Sequence, residues 1–423
     1  MKNVLTKHTS LNLPRLLWER AVNVPQIFVT GKQAYIPLMN ALLFCLTQTK
    51  KSCMEKLPRL QSLRQNYHTE NDTVKIYPSL PLFLLEVAGE KYQTENRKLS
   101  NTDLVELALL DILHTEINMD EWLTGLPFPY PFSGTKNQEV CSVAYGYLEK
   151  IWSTPDKRHY IEPFTGSGAL FFALPLKENW MYTLNDLDAN KINFLRTVKY
   201  RLPELLEKIW ALLKSPQRLI KAESYLPLNF LHKWDNTKYP NHLDVEMASR
   251  YYVYCHQKRH KNSENLNNTA YRQLAFLPLY SAKLRKADVH LLCMDALSVM
   301  DTSLAEFGTA YTPLFLVDSP YPMTEHYFRD VDENFYRKHL ILSKRCHRLA
   351  ESGGVFLYFC RSTPPTALYK KLPHKVPQLA GKLQRKIDSL YSDRGYFRME
   401  YPLNDFVTEV LISNHEGTGS KLY

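Results

Sequence analysis

The sequence predicts an α/β fold: a largely parallel sheet with helices on both faces, interrupted by a basic insertion and preceded by a mostly helical N-terminal domain. Three observations carry that reading. At Tyr160–Phe172 a short apolar strand runs into a glycine turn and then a helix. Met181–Asp186 follows as a second strand that ends on an acid, the order of a nucleotide-binding βαβ unit. Strand signals then return at His290–Met294, Leu314–Val317, Gly354–Cys360 and Thr408–Ser413, alternating with helical stretches.

Residues 1–125 read as mostly helical. Tyr35–Leu46 is a compact apolar run. Asn101–His114 predicts an amphipathic helix, because Leu104, Leu107, Ala108 and Leu110–Leu113 recur near helical spacing. Asn101 or Thr102 is available as its N-cap. The polar stretch Gln61–Val74 is expected to be a loop. No functional motif stands in this domain, and its role is unknown. Pro127, Pro129 and Pro131 forbid a helix interior and mark a break at Gly125–Lys136. Val140–Trp152, Asp188–Tyr200 and Phe335–Ala350 are expected helices. The domains expected are residues 1–125, a catalytic domain made of 126–200 and 290–423, and an insertion at 201–289. Deleting residues 1–120 is expected to leave cofactor binding measurable.

Of the 423 residues, 44% are hydrophobic and 23% charged, which excludes a disordered polymer or a fibrous repeat. The chain holds 53 Lys and Arg against 43 Asp and Glu, a formal charge of +10. That excess is local. Residues 1–125 carry 14 basic and 13 acidic side chains, whereas residues 190–290 carry 18 and 8. A concentrated basic segment fits either a phosphate-binding surface or a solvated face with no partner. Seven scattered cysteines include no CxxC pair and no zinc-ligand spacing, as expected of reduced thiols in a cytoplasmic protein. The start lacks a signal-length apolar stretch, and the runs Ile36–Leu46 and Leu80–Val87 are too short to span a bilayer. His256, His260 and His290 have no metal-ligand spacing and are expected to be surface or structural, so no metal is expected.

Two motifs carry chemistry. In Glu162-Pro-Phe-Thr-Gly-Ser-Gly168, Gly166 and Gly168 let the backbone turn sharply and leave room for a ligand at the strand end. Asp186 closes the next strand, where a carboxylate can accept the ribose hydroxyls of an adenosine cofactor. A tight βα turn with no ligand would show the same glycines. Asp318-Ser-Pro-Tyr321 follows the strand Leu314–Val317 directly, at the end where parallel sheets bind ligands. An ordinary strand exit would also be rich in Asp, Ser and Pro.

Taken together, the motifs resemble those of the Dam-like (D12 class, alpha-order) DNA adenine-N6 methyltransferases. Glu162–Gly168 matches the family's EPFxGxG cofactor motif, with Pro163 and Phe164 in place. Asp318–Tyr321 is similar to its [DNS]PP[YFW] catalytic motif, with Ser319 where a proline is usual and Pro320 and Tyr321 retained. Phe132-Ser-Gly-Thr-Lys136 resembles the motif that precedes the cofactor turn, Phe132 standing where Trp is usual. Asp186 matches the ribose-binding acid, and Asp295 resembles the acid that contacts the cofactor adenine. The resemblance covers roughly residues 126–415.

The resemblance implies a Rossmann-like, S-adenosylmethionine-dependent sheet in which the insertion is the target-recognition region. It implies site-specific methylation of adenine N6 in DNA, by base flipping and direct in-line attack. Asp318 and the Ser319 carbonyl would accept from the amine, Tyr321 would stack on the base, and Lys136 would orient Asp318. DNA is the implied partner, with no membrane, and the setting allows a cognate restriction or defence-system partner. Arg250, Lys258, Arg259 and Lys261 are the candidate DNA contacts, Lys258–Lys261 adjoining an Asn-rich stretch suited to groove contacts. Tyr251, Tyr252 and Tyr254 could contact bases or fill a core. The same chemistry would serve methylation of RNA or of cytosine N4, and a catalytically weak nucleic-acid-binding relative would share the motifs.

Overall fold

The computed structural model describes residues 10–33, 35–68, 73–76, 80–93, 98–130, 138–214, 243–259, 270, 273–305, 310–319, 333–361, 385–392, 394–404 and 407–416. The chain divides into two compact units. The first comprises Met1–Pro131, Asn193–Phe230 and Asn241–Lys286, and the second Phe132–Ile192, Leu231–Pro240 and Ala287–Tyr423.

The first unit opens with β1 (Leu11–Pro14), α1 (Arg15–Ala21), α2 (Ile36–Thr47), α3 (Lys50–Tyr67), β2 (Thr73–Ile76), α4 (Leu82–Tyr92), α5 (Asn101–Leu113) and α6 (Met119–Trp122). β1 and β2 pair antiparallel as a two-stranded sheet. The start of α5 is held by Ser100, whose side chain accepts from the Asp103 N–H while Asp103 accepts from the Ser100 N–H, a reciprocal capping box one residue before the expected cap.

The stretch Gln61–Val74 is not a loop throughout. α3 continues to Tyr67 and β2 begins at Thr73. Leu57, Leu60 and Tyr67 are buried, and Arg64 pairs with Asp103 and Glu106 of α5. An ion pair to another helix therefore fixes a segment that reads as merely polar along the sequence.

In the second unit and across the boundary run α7 (Gln138–Trp152), β3 (Arg158–Glu162), α8 (Ala169–Ala173), β4 (Met181–Asn185) and α9 (Ala189–Tyr200). The described part of the insertion is helical: α10 (Leu202–Leu213), α11 (Val245–Arg259) and α12 (Leu277–Lys286). Leu202, Leu205, Leu206, Ile209, Leu212 and Leu213 of α10 are buried at helical spacing.

These insertion helices share one core with the N-terminal residues. Tyr130 meets Phe194 and Tyr251 edge-on at 5.1 and 5.3 Å, and Phe194 stacks on Tyr252 at 5.9 Å. Buried Lys283 donates to the Leu123 carbonyl at 2.6 Å. The insertion expected as a separate region is thus built into the same unit as residues 1–131. Removing residues 1–120 would take away the Phe28 carbonyl that accepts from buried Ser281 and the Asp120 partner of Lys286.

The second unit is completed by β5 (His290–Leu292), α13 (Ala296–Ala305), β6 (Thr312–Val317), α14 (Glu333–Glu351), β7 (Val355–Arg361), β8 (Phe397–Asn404) and β9 (Val407–Ser413). Its seven-stranded sheet has the order β5-β4-β3-β6-β7-β9-β8. The first five strands are parallel, and β9 and β8 add antiparallel at one edge. β3, β4 and β6 are almost wholly buried, as strands covered on both faces must be. The core packs Ile161, Phe315, Val317, Phe356 and Tyr358 of the sheet against Leu342, Cys346 and Leu349 of α14. β8 carries the exposed charges Arg398 and Glu400, and none of its described side chains is buried, which suits an edge and hides it from a hydrophobicity scan.

Candidate active site

The chain runs outward through β3, β4 and β5, then crosses back to lay β6 beside β3. Strand order therefore reverses between β3 and β6, the switch point where open α/β sheets have their ligand-binding crevice, beyond the carboxyl ends of the strands. Both motifs sit at that point. Ile161 of β3 is in register with Phe315 of β6, so the turn after Glu162 and the exit at Asp318 leave adjacent strands at the same end.

At the β3 exit, Gly166 and Gly168 have φ of 56° and 74°, the left-handed region that glycine enters without strain. Their surroundings differ. A Cβ on Gly168 would meet the buried Phe172 ring at 2.9 Å, whereas one on Gly166 would meet nothing within 4 Å. Gly168 serves helix-to-strand packing, and Gly166 leaves open space in front of the turn. Glu162 is buried beneath it, accepting from the Tyr160 hydroxyl and, at 2.9 Å, from Thr165 Oγ1. Burial pushes the Glu162 carboxyl up to about 7; the Tyr160 and Thr165 bonds oppose that rise, and the nearby Asp318 carboxylate adds to it. Pro163 is buried and Phe164 packs against the sheet core, so both shape the turn from below.

Asp186 lies one residue past β4. Its Oδ2 accepts from the Gly166 N–H at 2.9 Å and from Lys191 Nζ at 3.0 Å, and its Oδ1 accepts from the Asp188 N–H at 2.9 Å. Three of a carboxylate's roughly four acceptor positions are thus engaged, leaving Oδ1 able to take one further donor. Asn185, fully buried, ties three strand ends together. It donates to the Pro163 and Met294 carbonyls at 2.9 and 3.0 Å and accepts from the Met294 N–H at 3.0 Å. Asp295 is exposed, and its Oδ1 accepts from the Leu297 and Ser298 N–H groups, capping α13. Leu187 and Met294, 70% and 42% exposed, place apolar surface beside Asp186 and Asp295. Sequence reading missed Asn185, Lys191, Leu187 and Met294. The only signal for them was position, next to an acid at a strand end.

At the β6 exit, Asp318 is half-buried and Ser319 is buried. Pro320, Tyr321, Phe132, Lys136 and Lys261 lie outside the described residues, as do the side chains of Lys258 and Arg259, whose backbone ends α11. Arg250 is held on α11 by Glu246, its Nε donating at 3.0 Å. Tyr251 and Tyr252 are buried, the core-filling reading of that run, and Tyr252 donates to the Ala270 carbonyl at 2.9 Å. His256 is likewise buried. Some of the segment's lysines have acidic partners: Lys208 with Glu246, Lys214 with Glu86 and Lys286 with Asp120. Among the described residues no helix is long and apolar enough to cross a membrane.

A parallel sheet with this order, a glycine turn linked to an acid at the neighbouring strand end, and an Asp exit across the switch point define the class as a Rossmann-like methyltransferase. Residues 145–288 match the family model for the D12 class N6 adenine-specific DNA methyltransferases. The chain carries a region that matches that family's domain, and both comparisons support adenine-N6 DNA methylation. It is similar to the Type II methyltransferase M1.LlaDCHI of Lactococcus lactis subsp. cremoris, with 25% identity over 296 residues, 67% of this chain and 94% of that relative. The family match takes in the glycine turn, Asp186 and the insertion helices; Asp318 lies beyond it.

Proposed function

We propose that the crevice between β3 and β6 binds S-adenosylmethionine against the Gly166 turn and presents a flipped adenine to Asp318. The observation that carries this reading is the placement of both motifs on adjacent strand ends at the switch point. The residues suit the cofactor: Gly166 leaves space where a side chain would block approach, and Asp186 keeps an acceptor for a ribose hydroxyl. Leu187 and Met294 offer apolar cover for a planar ring. Asp295, Phe132 and Lys136 complete the proposed cofactor side. When bound, S-adenosylmethionine supplies an electrophilic methyl group.

An exocyclic adenine amine is a poor nucleophile because its lone pair is delocalised into the ring. Asp318 accepts one N6 hydrogen and the Ser319 carbonyl the other, drawing the nitrogen toward tetrahedral geometry and aiming its lone pair. Pro320 stiffens the turn, and Tyr321 stacks on the extruded base. After transfer Asp318 receives the surplus amine proton and passes it to water. Arg250, Lys258, Arg259 and Lys261 contact DNA on the insertion, which reads the target sequence. A restriction partner of matching specificity fits a Type II setting.

Transfer of label from S-adenosylmethionine to DNA, followed by nucleoside analysis, tests the assignment. Asp318→Ala should lower the rate at least about 100-fold, the scale of losing one group aimed at a reacting centre. Equal labelling by the variant and the wild type would remove Asp318 from the reaction. Label in N4-methylcytosine or in RNA would overturn the substrate.

A further inference from the structure

The Asp318 exit is tied to the sheet core by a chain of polar side chains. Ser319 is buried, and its Oγ donates to the Tyr358 hydroxyl at 3.5 Å. That hydroxyl lies 2.8 Å from Nδ1 of His339, itself buried on α14. Tyr358 stands on β7 in register with Val317, the last residue of β6, so its phenol sits directly beside the point where the exit leaves the sheet. Its ring is fixed by stacking on buried Tyr391, with centroids 4.6 Å apart and planes 26° off parallel.

The surroundings explain why these groups would hold one another. Val317, Leu342, Cys346, Phe356 and Tyr391 make this part of the core apolar. A hydroxyl or imidazole buried there is costly unless it is hydrogen-bonded. Burial also pushes the Tyr358 phenol well above its ordinary value, so it stays protonated and can donate to a neutral His339 while accepting from Ser319. The backbone has a matching need. A serine leaves φ free at position 319, where a proline ring would lock it near −65°. A side-chain anchor is one way to supply that missing restraint.

We propose that the Ser319–Tyr358–His339 chain positions the Asp318 turn, with Tyr358 and His339 as positioning residues that act through Ser319. This rests on the reading of Asp318 as the acceptor of the adenine amine. The chain holds the Asp318 carboxylate and the Ser319 carbonyl at their working geometry. Loosening it costs turnover rather than substrate binding.

Steady-state kinetics on the full chain, with DNA and S-adenosylmethionine varied separately, test the proposal. Tyr358→Phe and Ser319→Ala should each lower kcat about tenfold, with KM for both substrates within about twofold of wild type. The double variant should be no slower than the worse single one, because both changes cut the same link. Ser319→Pro should recover most of the kcat lost in Tyr358→Phe, since the ring restores the restraint by another route. His339→Gln, which keeps a hydrogen-bonding group, should lose less than His339→Leu. Additive losses in the double variant, or thermal destabilisation with kcat unchanged, would overturn the proposal even if Ser319→Pro failed to fold. Asp318→Ala in the same assay separates the two readings. If that variant stays active, the assignment of Asp318 falls; if it is inactive while the Ser319–Tyr358 cycle is additive, only the anchor falls.

Discussion

At the scale of single residues, the site concentrates buried carboxyl chemistry that the motif strings do not display. Glu162 reads as part of a cofactor signature, yet it is a buried acid beneath the glycine turn, within electrostatic range of Asp318. Its folded pKa, about 7, stands above the ordinary 4.5. The folded state therefore binds the proton more tightly than the unfolded chain. The linked stability is fully present below pH 4.5 and is lost as pH rises through 7. Glu162→Gln, neutral at every pH, should remove this part of the dependence. Melting temperatures across pH 4 to 8 should show the wild type losing stability relative to the variant as pH rises through that window, by on the order of 3 kcal/mol in all. Asp318→Asn should move the midpoint down, because one charge that opposes Glu162 ionisation is gone. A pH-independent difference between wild type and Glu162→Gln would show that folding leaves the Glu162 carboxyl at its ordinary value.

At the scale of elements, the buried strands were legible because they read as apolar runs between turn residues. The observed β3, β4, β6, β7 and β9 fall within about two residues of the expected ranges. β8 and the far end of α3 were not legible. The first is an exposed edge with alternating charge, and the second is held by Arg64 reaching acids 39 and 42 residues away. In the turn after β3, the sequence shows two glycines but not their different tasks. Alanine at either position meets a left-handed backbone, at roughly 1–2 kcal/mol. Gly168→Ala also drives a Cβ into Phe172, so it should be the less stable variant in chemical denaturation. Gly166→Ala places its methyl in open space and should cost mainly the backbone strain, while weakening S-adenosylmethionine binding at least about tenfold in calorimetry. Wild-type cofactor affinity in folded Gly166→Ala would mean that no ligand approaches this turn.

For the whole molecule, the sequence placed the charge excess correctly along the chain but could not show where it ends up in space. Segment 190–290 holds 18 basic side chains against 8 acidic ones, yet Lys214 and Lys286 pair with Glu86 and Asp120 from the N-terminal residues. Lys283 is buried, and Lys208 and Arg250 share Glu246. Near-neutral residues 1–125 thus absorb part of the excess within their own unit, which a count along the sequence cannot reveal. Among the described residues several of the segment's basic side chains are thus already paired or buried, which leaves the proposed phosphate contacts at Lys258, Arg259 and Lys261 as the ones to test. Each phosphate contact to duplex DNA contributes about 0.9 to the slope of log affinity against log salt. Neutralising all three residues should lower the magnitude of that slope by up to about 3 and weaken binding at low salt, with cofactor affinity unchanged. Titration of duplex DNA by fluorescence anisotropy at several salt concentrations measures it. An unchanged slope would remove these residues from the interface and move DNA recognition to another surface of the chain.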